Sequence, residues 1–553
     1  MKPPSLILIV CLVSALDLLG QPRNAFSYIS KPAQLEQDME EIVGPKYQEA
    51  LAIYNRLVEA KGDKRFSPPN FIMTPAANNA AFLVYGGTQI GLEEKAYDIC
   101  MSLGEEEGKT AIAGLLGHEL VHFYEKHQWR SSFANAYQEL QIGRTLKGMV
   151  DQDKINNETQ ADYLGGFLAY SAGYPVFENR SAVLDRIYEE YPFPAIDTTG
   201  SYPSLKDRKA LAQKSEEKLK ELVRIFVVGN LLAAIGHYEA ARVFYQHILI
   251  DYQGREIYNN LGVLTVLEAL EYFKASERVY RLPLELDMAF GAGSKDGFGE
   301  KVEQRNKLLR KAISYFNNAI SMDPGYAPAY LNKACAYYML QDDERARFYA
   351  GVEAQRDTQA FSKTATDAKV LLAMLEARAG NTEEAIQQLE QLEAPSAVAV
   401  YNLSVMKGEA PQKPEVPFGA DAETIDGIAP GQVPGFDRGQ YRRKRQEIEL
   451  FEELDFRIWT KEAVDELSQS NVFYVRSPSG LKLWLHLTEA NNSGEIDGGF
   501  EVGAGRAELV EYFGEPETSL EMPGGEIMKY DEVILLLDQA GKLARWANYQ
   551  YQN

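Results

Sequence analysis

The chain of 553 residues holds six histidines, and three of them fall within ten positions, at His118, His122 and His127. The first two lie in Gly117-His118-Glu119-Leu120-Val121-His122, inside a stretch from about 109 to 126 with the apolar spacing of a helix. A separation of four puts both imidazoles on one helix face, one turn apart. That arrangement suits two ligands of a tetrahedral Zn²⁺, and Glu119 then points beside the metal, where a general base belongs. Such a pair needs a third donor from elsewhere in the chain. Asn157-Glu158-x-x-Ala161-Asp162 begins a second helical run that continues through Tyr163-Leu164-Gly165-Gly166-Phe167. Glu158 is read as the third ligand, with the fourth position left for water. Asp162, one turn on, shares its face and can fix the tautomer of a ligand histidine by accepting from its far nitrogen. His127 is read as a solvated or capping group, because Glu158 completes the ligand set. His237, His247 and His486 are read as structural.

Charge and cysteine usage exclude several classes. Lys and Arg total 57 against 80 Asp and Glu, a net charge of −23, so the chain repels phosphate backbones and nucleic acid is not an expected partner. Three cysteines cannot build a disulfide scaffold, and Cys100 and Cys335 are expected as buried thiols. Residues 1–27 read as a signal peptide: Lys2, then an apolar run from Leu6 to Leu19, with cleavage after Gly20 or after Ser27. The mature chain is then exported, periplasmic or secreted, and no other stretch is apolar and long enough to span a membrane. Asn157-Glu158-Thr159 is a formal glycosylation sequon, but a glycan there would obstruct the proposed ligand, which argues for a bacterial exported protein.

The expected fold class is multidomain: an α+β zincin-like domain at 28–225, an all-α tetratricopeptide solenoid at 226–408, a Pro/Gly-rich linker at 409–440, and a small α+β module at 441–553. A helix is expected near 33–62, one or two strands between Asn70 and Tyr85, and a helical pair over roughly 131–190. The clearest repeat is Ala312-x3-Phe316-x2-Ala319-x3-Asp323-Pro324. Gly236-His-Tyr-Glu-Ala-Ala241 and Gly380-Asn-Thr-Glu-Glu-Ala385 repeat one turn and its following helix. Asn260-Leu261-Gly262 marks a first helix, separated from its partner by an insertion around Arg281 to Lys301. Arg442-Arg443-Lys444-Arg445 reads as a solvated basic face. In the last module a helix is expected at 505–512 and two strands at 533–537 and 543–549.

The HExxH and ExxAD pair resembles gluzincin zinc metallopeptidases, specifically the CAAX prenyl endopeptidase-like family and its soluble periplasmic members with tetratricopeptide repeats. The likeness covers roughly 30–408. Asn79-Ala80-Ala81-Phe82-Leu83-Val84-Tyr85-Gly86-Gly87 is similar to the family's edge strand, and Ser171-Ala172-Gly173-Tyr174 to the end of its second ligand helix. The resemblance implies one Zn²⁺ per chain on His118, His122 and Glu158, Glu119 as general base and Asp162 behind the ligands. It also implies a substrate edge strand at Ala80, Ala81, Phe82 and Leu83. Relatives carry a histidine where this chain has Tyr202, in Ser201-Tyr202-Pro203-Ser204-Leu205-Lys206-Asp207-Arg208, so Tyr202 and Arg208 are candidates for an oxyanion or gating role. The implied activity is hydrolysis of internal bonds in unfolded or misassembled envelope proteins, with repeats that bind substrate or a partner protein. The competing expectation is a catalytically silent or latent repeat scaffold.

Overall fold

The computed structural model describes residues 42–84, 88–126, 141–175, 180–191, 205–284, 300–409, 443–450, 454–461, 470–488, 496, 499–522, 525–530, 533–538 and 540–552. The expected signal peptide, the linker, His127 and Tyr202 lie outside them. Two compact units emerge. Within the described residues, the first comprises 42–55, Pro68–Gly166 and Phe177–Glu216, and the second Arg56–Ser67, Phe167–Val176 and Glu217–Asn553. The second unit includes the residues of both the repeats and the C-terminal module.

In the first unit, helix α1 (Pro45–Lys61) leads to β1 (Asn70–Thr74), β2 (Ala81–Leu83) and β3 (Gln89–Glu93). Pro75 follows β1 directly, so the apolar stretch from Asn70 to Tyr85 breaks into two strands. The sheet order is β1-β3-β2, parallel between β1 and β3 and antiparallel between β2 and β3. Tyr47 and Tyr54 of α1 stack on Phe71 at 5.6 and 5.4 Å. Helix α2 (Glu94–Met101) and helix α3 (Glu105–Tyr124) follow, and α3 packs against β2 and β3. Three glutamates, Glu105 to Glu107, occupy the first turn of α3, where carboxylates favour the helix dipole. The expected helical pair is α4 (Gln141–Ser171) and α5 (Arg180–Glu190).

The second unit contains tetratricopeptide-like helical hairpins. Helix α6 (Leu205–Ala234), which enters this unit at Glu217, pairs with α7 (Tyr238–Asp251), and α8 (Arg255–Leu270) pairs with α9 (Glu300–Met322). They are followed by α10 (Ala327–Met339) with α11 (Asp343–Phe348), α12 (Ser362–Arg378) with α13 (Thr382–Glu390), and α14 (Ala397–Met406). Gly262 of α8 lies so close to Phe316 of α9 that an added Cβ would meet its ring at 2.4 Å, the small-on-large contact that lets paired helices approach. Five described helix ends carry one and the same cap, the first of them at Gly173 after α4 and the other four among these helices. At Gly173, Gly236, Gln341, Gly380 and Gly408 the backbone has positive φ, its N–H donates three residues back, and the next N–H donates five residues back. The Gly236 and Gly380 turns were visible in the sequence; the third hid because Gln341 stands where the others have glycine.

The C-terminal module is larger than the helix and hairpin expected. Eight antiparallel strands run in the order β4-β5-β6-β7-β11-β10-β9-β8. They are β4 (Arg443–Leu450), β5 (Leu454–Lys461), β6 (Ser470–Arg476), β7 (Lys482–Thr488), β8 (Thr518–Met522), β9 (Gly525–Tyr530), β10 (Val533–Leu537) and β11 (Leu543–Tyr551). Helix α15 (Arg506–Phe513) packs Leu509 and Phe513 against Met528, Tyr530, Leu535 and Trp546. The expected helix and last two strands are there, but the basic run is a strand: Arg443-Lys444-Arg445 opens β4, whose charged residues hide the apolar alternation that marks a strand. The sheet is two consecutive meanders joined at their last strands. Their closing turns match, with Ser477 N donating to Leu481 O and Gly480 N to Ser477 O, and Asp538 N to Lys542 O and Gly541 N to Asp538 O.

A non-glycine residue at positive φ costs roughly 1 kcal/mol or more. Gln341→Gly is therefore expected to raise stability by about 0.5–1 kcal/mol, read as a higher denaturation midpoint with unchanged m-value. The same change at a helical position nearby, such as Lys333, is expected to lower it.

Candidate metal centre

Helix α3 presents His118 and His122 from one face, and α4 brings Glu158 and Asp162 to them. The two helices meet at glycines. A Cβ on Gly117 would lie 2.6 Å from Gly165 O, and one on Gly165 would lie 2.6 Å from His118 N. The backbones touch there, and no side chain fits between them. Glu158 and Asp162 precede Gly165 by two turns and one, so this crossing sets them against the two imidazoles.

His118 Nδ1 donates to Asp162 Oδ1 at 2.8 Å, which leaves Nε2 facing the other donors. His118 Nε2 lies 2.9 Å from His122 Nε2 and 3.6 Å from Glu158 Oε2, and His122 Nε2 lies 3.5 Å from Glu158 Oε1. These three residues form the one group of His, Cys, Asp and Glu among the described residues whose donor atoms converge closely enough to hold a metal ion. Tetrahedral zinc with donors at about 2.0–2.1 Å places its ligand atoms about 3.3 Å apart, and the observed triangle brackets that value. The donor set, two nitrogens and one carboxylate oxygen, is the set borderline-soft zinc accepts. His118, Glu119 and His122 are all 0% exposed, and Glu158 is nearly buried. Burial alone would depress the His118 imidazole, but the hydrogen bonds to Asp162 and Glu158 outweigh it and push its pKa up to about 9.

The other expected site residues divide. Ala81, Phe82 and Leu83 form β2 at the edge of the three-stranded sheet, against α3, yet they are only 0–1% exposed. Ala80 precedes the strand at φ +63°. Arg208 lies in α6, and Tyr202 is outside the described residues. Glu93 was missed. Buried at the end of β3, it accepts from the backbone N–H groups of Asn78 (3.0 and 2.9 Å), Asn79 (2.9 Å) and Ala80 (3.1 Å). The Glu93 N–H donates back to Ala80 O at 2.8 Å. One carboxylate thus fixes the left-handed residue and the start of β2, and nothing in the local sequence distinguishes it from its neighbour Glu94.

No family model matches the chain, and no curated protein matches it. Among solved structures it is similar to the TPR2AB domain of yeast Sti1 in complex with pHSP90, at 14% identity over 51% of this chain and 92% of that one, with a TM-score of 0.13. A superposition of that quality does not define a common fold, and the helical repeats rest on the succession of packed helices and on the Gly262–Phe316 contact. No helix among the described residues is long and apolar enough to cross a membrane.

Gly165→Ala is expected to cost about 1–3 kcal/mol by forcing backbone against backbone, and to weaken metal uptake more than the same change at open Gly114. Denaturation and metal titration of both variants check this. In the metal-free chain the raised His118 pKa contributes stability in full below its unfolded value near 6.5 and loses it as pH rises through about 9. The melting temperature of chelated protein is expected to fall across that window, and the fall to shrink in Asp162→Asn.

Proposed function

We propose that the chain is an exported zinc-dependent metalloendopeptidase that cleaves internal peptide bonds of unfolded or misassembled envelope proteins. The observation that carries this reading is the convergence of His118, His122 and Glu158, with Asp162 behind one ring and Glu119 next to His118 on α3. His118, His122 and Glu158 would hold one Zn²⁺, and Asp162 keeps the His118 proton on Nδ1 so that Nε2 offers a lone pair. When bound, the ion supplies Lewis acidity toward the scissile carbonyl and the attacking water. Glu119 takes that water's proton and returns it to the leaving amine. The β2 edge offers main-chain groups for a substrate strand, a mode that reads no sequence. Because β2 is buried, a substrate strand adds there only after the edge opens.

That burial also favours a second reading, a latent or silent protease fold serving a repeat scaffold for unfolded proteins or a partner. Metal analysis with casein digestion separates the two: zinc without cleavage favours the scaffold. For the peptidase, Glu119→Gln is expected to keep its zinc and lose about 10²–10⁴-fold in kcat, whereas Glu158→Ala loses the metal itself. Cleavage by Glu119→Gln at the wild-type rate overturns the mechanism.

A further inference from the structure

The insertion between α8 and α9 does more than lengthen a loop. Its first part, 278–284, has neither helix nor strand, yet it is held by side chains of two helices, α10 and α14. Helix α12 packs between α10 and α14, so these three form one layer. Asn402 of α14 makes two bonds to the backbone of a single residue of the insertion. Arg281 N donates to its Oδ1 at 2.8 Å, and its Nδ2 donates to Arg281 O at 2.8 Å. The Arg281 guanidinium lies over the Tyr401 ring, 3.9 Å from its centroid. Two residues on, Cys335 Sγ of α10 donates to Pro283 O at 3.8 Å. Leu282 and Leu284 are 3% and 6% exposed, whereas Arg281 itself is exposed. The start of the segment is tied separately, by Arg305 to Glu277 at 2.8 Å and over the Phe273 ring at 3.9 Å.

Each of these features is how a protein holds a peptide ligand. A side-chain amide that satisfies both the N–H and the C=O of one residue reads no side chain and fixes the backbone. Buried leucines on either side of a proline provide apolar anchors, and proline lowers the entropy lost on binding. We propose that the layer formed by α10, α12 and α14 is a peptide-binding groove, and that residues 278–284 are its built-in competitor. The ligand it fits is an exposed segment of an unfolded chain of the type basic-Leu-Pro-Leu. The local concentration of a tethered segment is in the millimolar range, so only a better or multivalent ligand displaces it. This proposal stands independently of the zinc site.

The test uses the full chain and a fluorescein-labelled peptide of the sequence from Arg278 to Leu284. Arg281→Ala removes only an exposed stacking contact and is expected to tighten binding of the added peptide about threefold. Arg281→Ala with Leu282→Ser is expected to tighten it at least about tenfold, and adding Asn402→Ala to cancel that gain. A peptide with aspartate in place of both leucines is expected not to bind. In wild-type protein, saturating peptide is expected to speed hydrogen exchange at the Arg281 amide while amides within α10 and α12 stay protected. Unchanged affinity in folded Arg281→Ala/Leu282→Ser overturns the proposal. If that variant does not fold, unchanged Arg281 exchange in wild type overturns it.

Discussion

Two glycines in contact hold the candidate centre together. Where α3 and α4 cross at Gly117 and Gly165, the backbones stand too close for a Cβ on either. Every distance between the imidazoles and the carboxylates follows from that crossing, because Glu158 and Asp162 are carried on the same rigid helix as Gly165. A wider crossing would move both carboxylates away together, leaving two buried imidazoles without their acceptors. Asp162 then sets the chemistry at finer scale, by deciding which nitrogen of His118 carries the proton.

The separations of four residues along α3 and α4 were legible because a helix converts spacing into direction. The crossing was not legible as such. Gly165 and Gly166 were seen as continuing a helix, and only the structure shows that Gly165 is where the other helix passes. Glu93 was illegible for a different reason. Its role depends on three N–H groups some fifteen residues earlier, and no pattern local to β3 announces them.

In the second unit, legibility followed glycine. The turns at Gly236 and Gly380 stood out, and the equivalent turn at Gln341 did not, although the backbone is the same. The insertion after α8 was recognised as an interruption of a repeat, but periodicity says nothing about an irregular segment held by side chains from distant helices. The C-terminal module shows the limit most plainly. β10 is five consecutive buried apolar residues and was read as a strand; β4 is mostly charged and was not.

The position of β4 gives that charge a meaning. Among the described residues the eight-stranded sheet is open, so β4 and β8 each have one side without a neighbouring strand. An open edge invites other chains to pair with it and grow, which is how sheets aggregate. In the sequence Arg443-Lys444-Arg445-Gln446-Glu447-Ile448-Glu449-Leu450, five of eight residues are charged. A second copy approaching parallel and in register would set like charges side by side at the moment of pairing. The basic run thus guards the sheet against that pairing with its own kind.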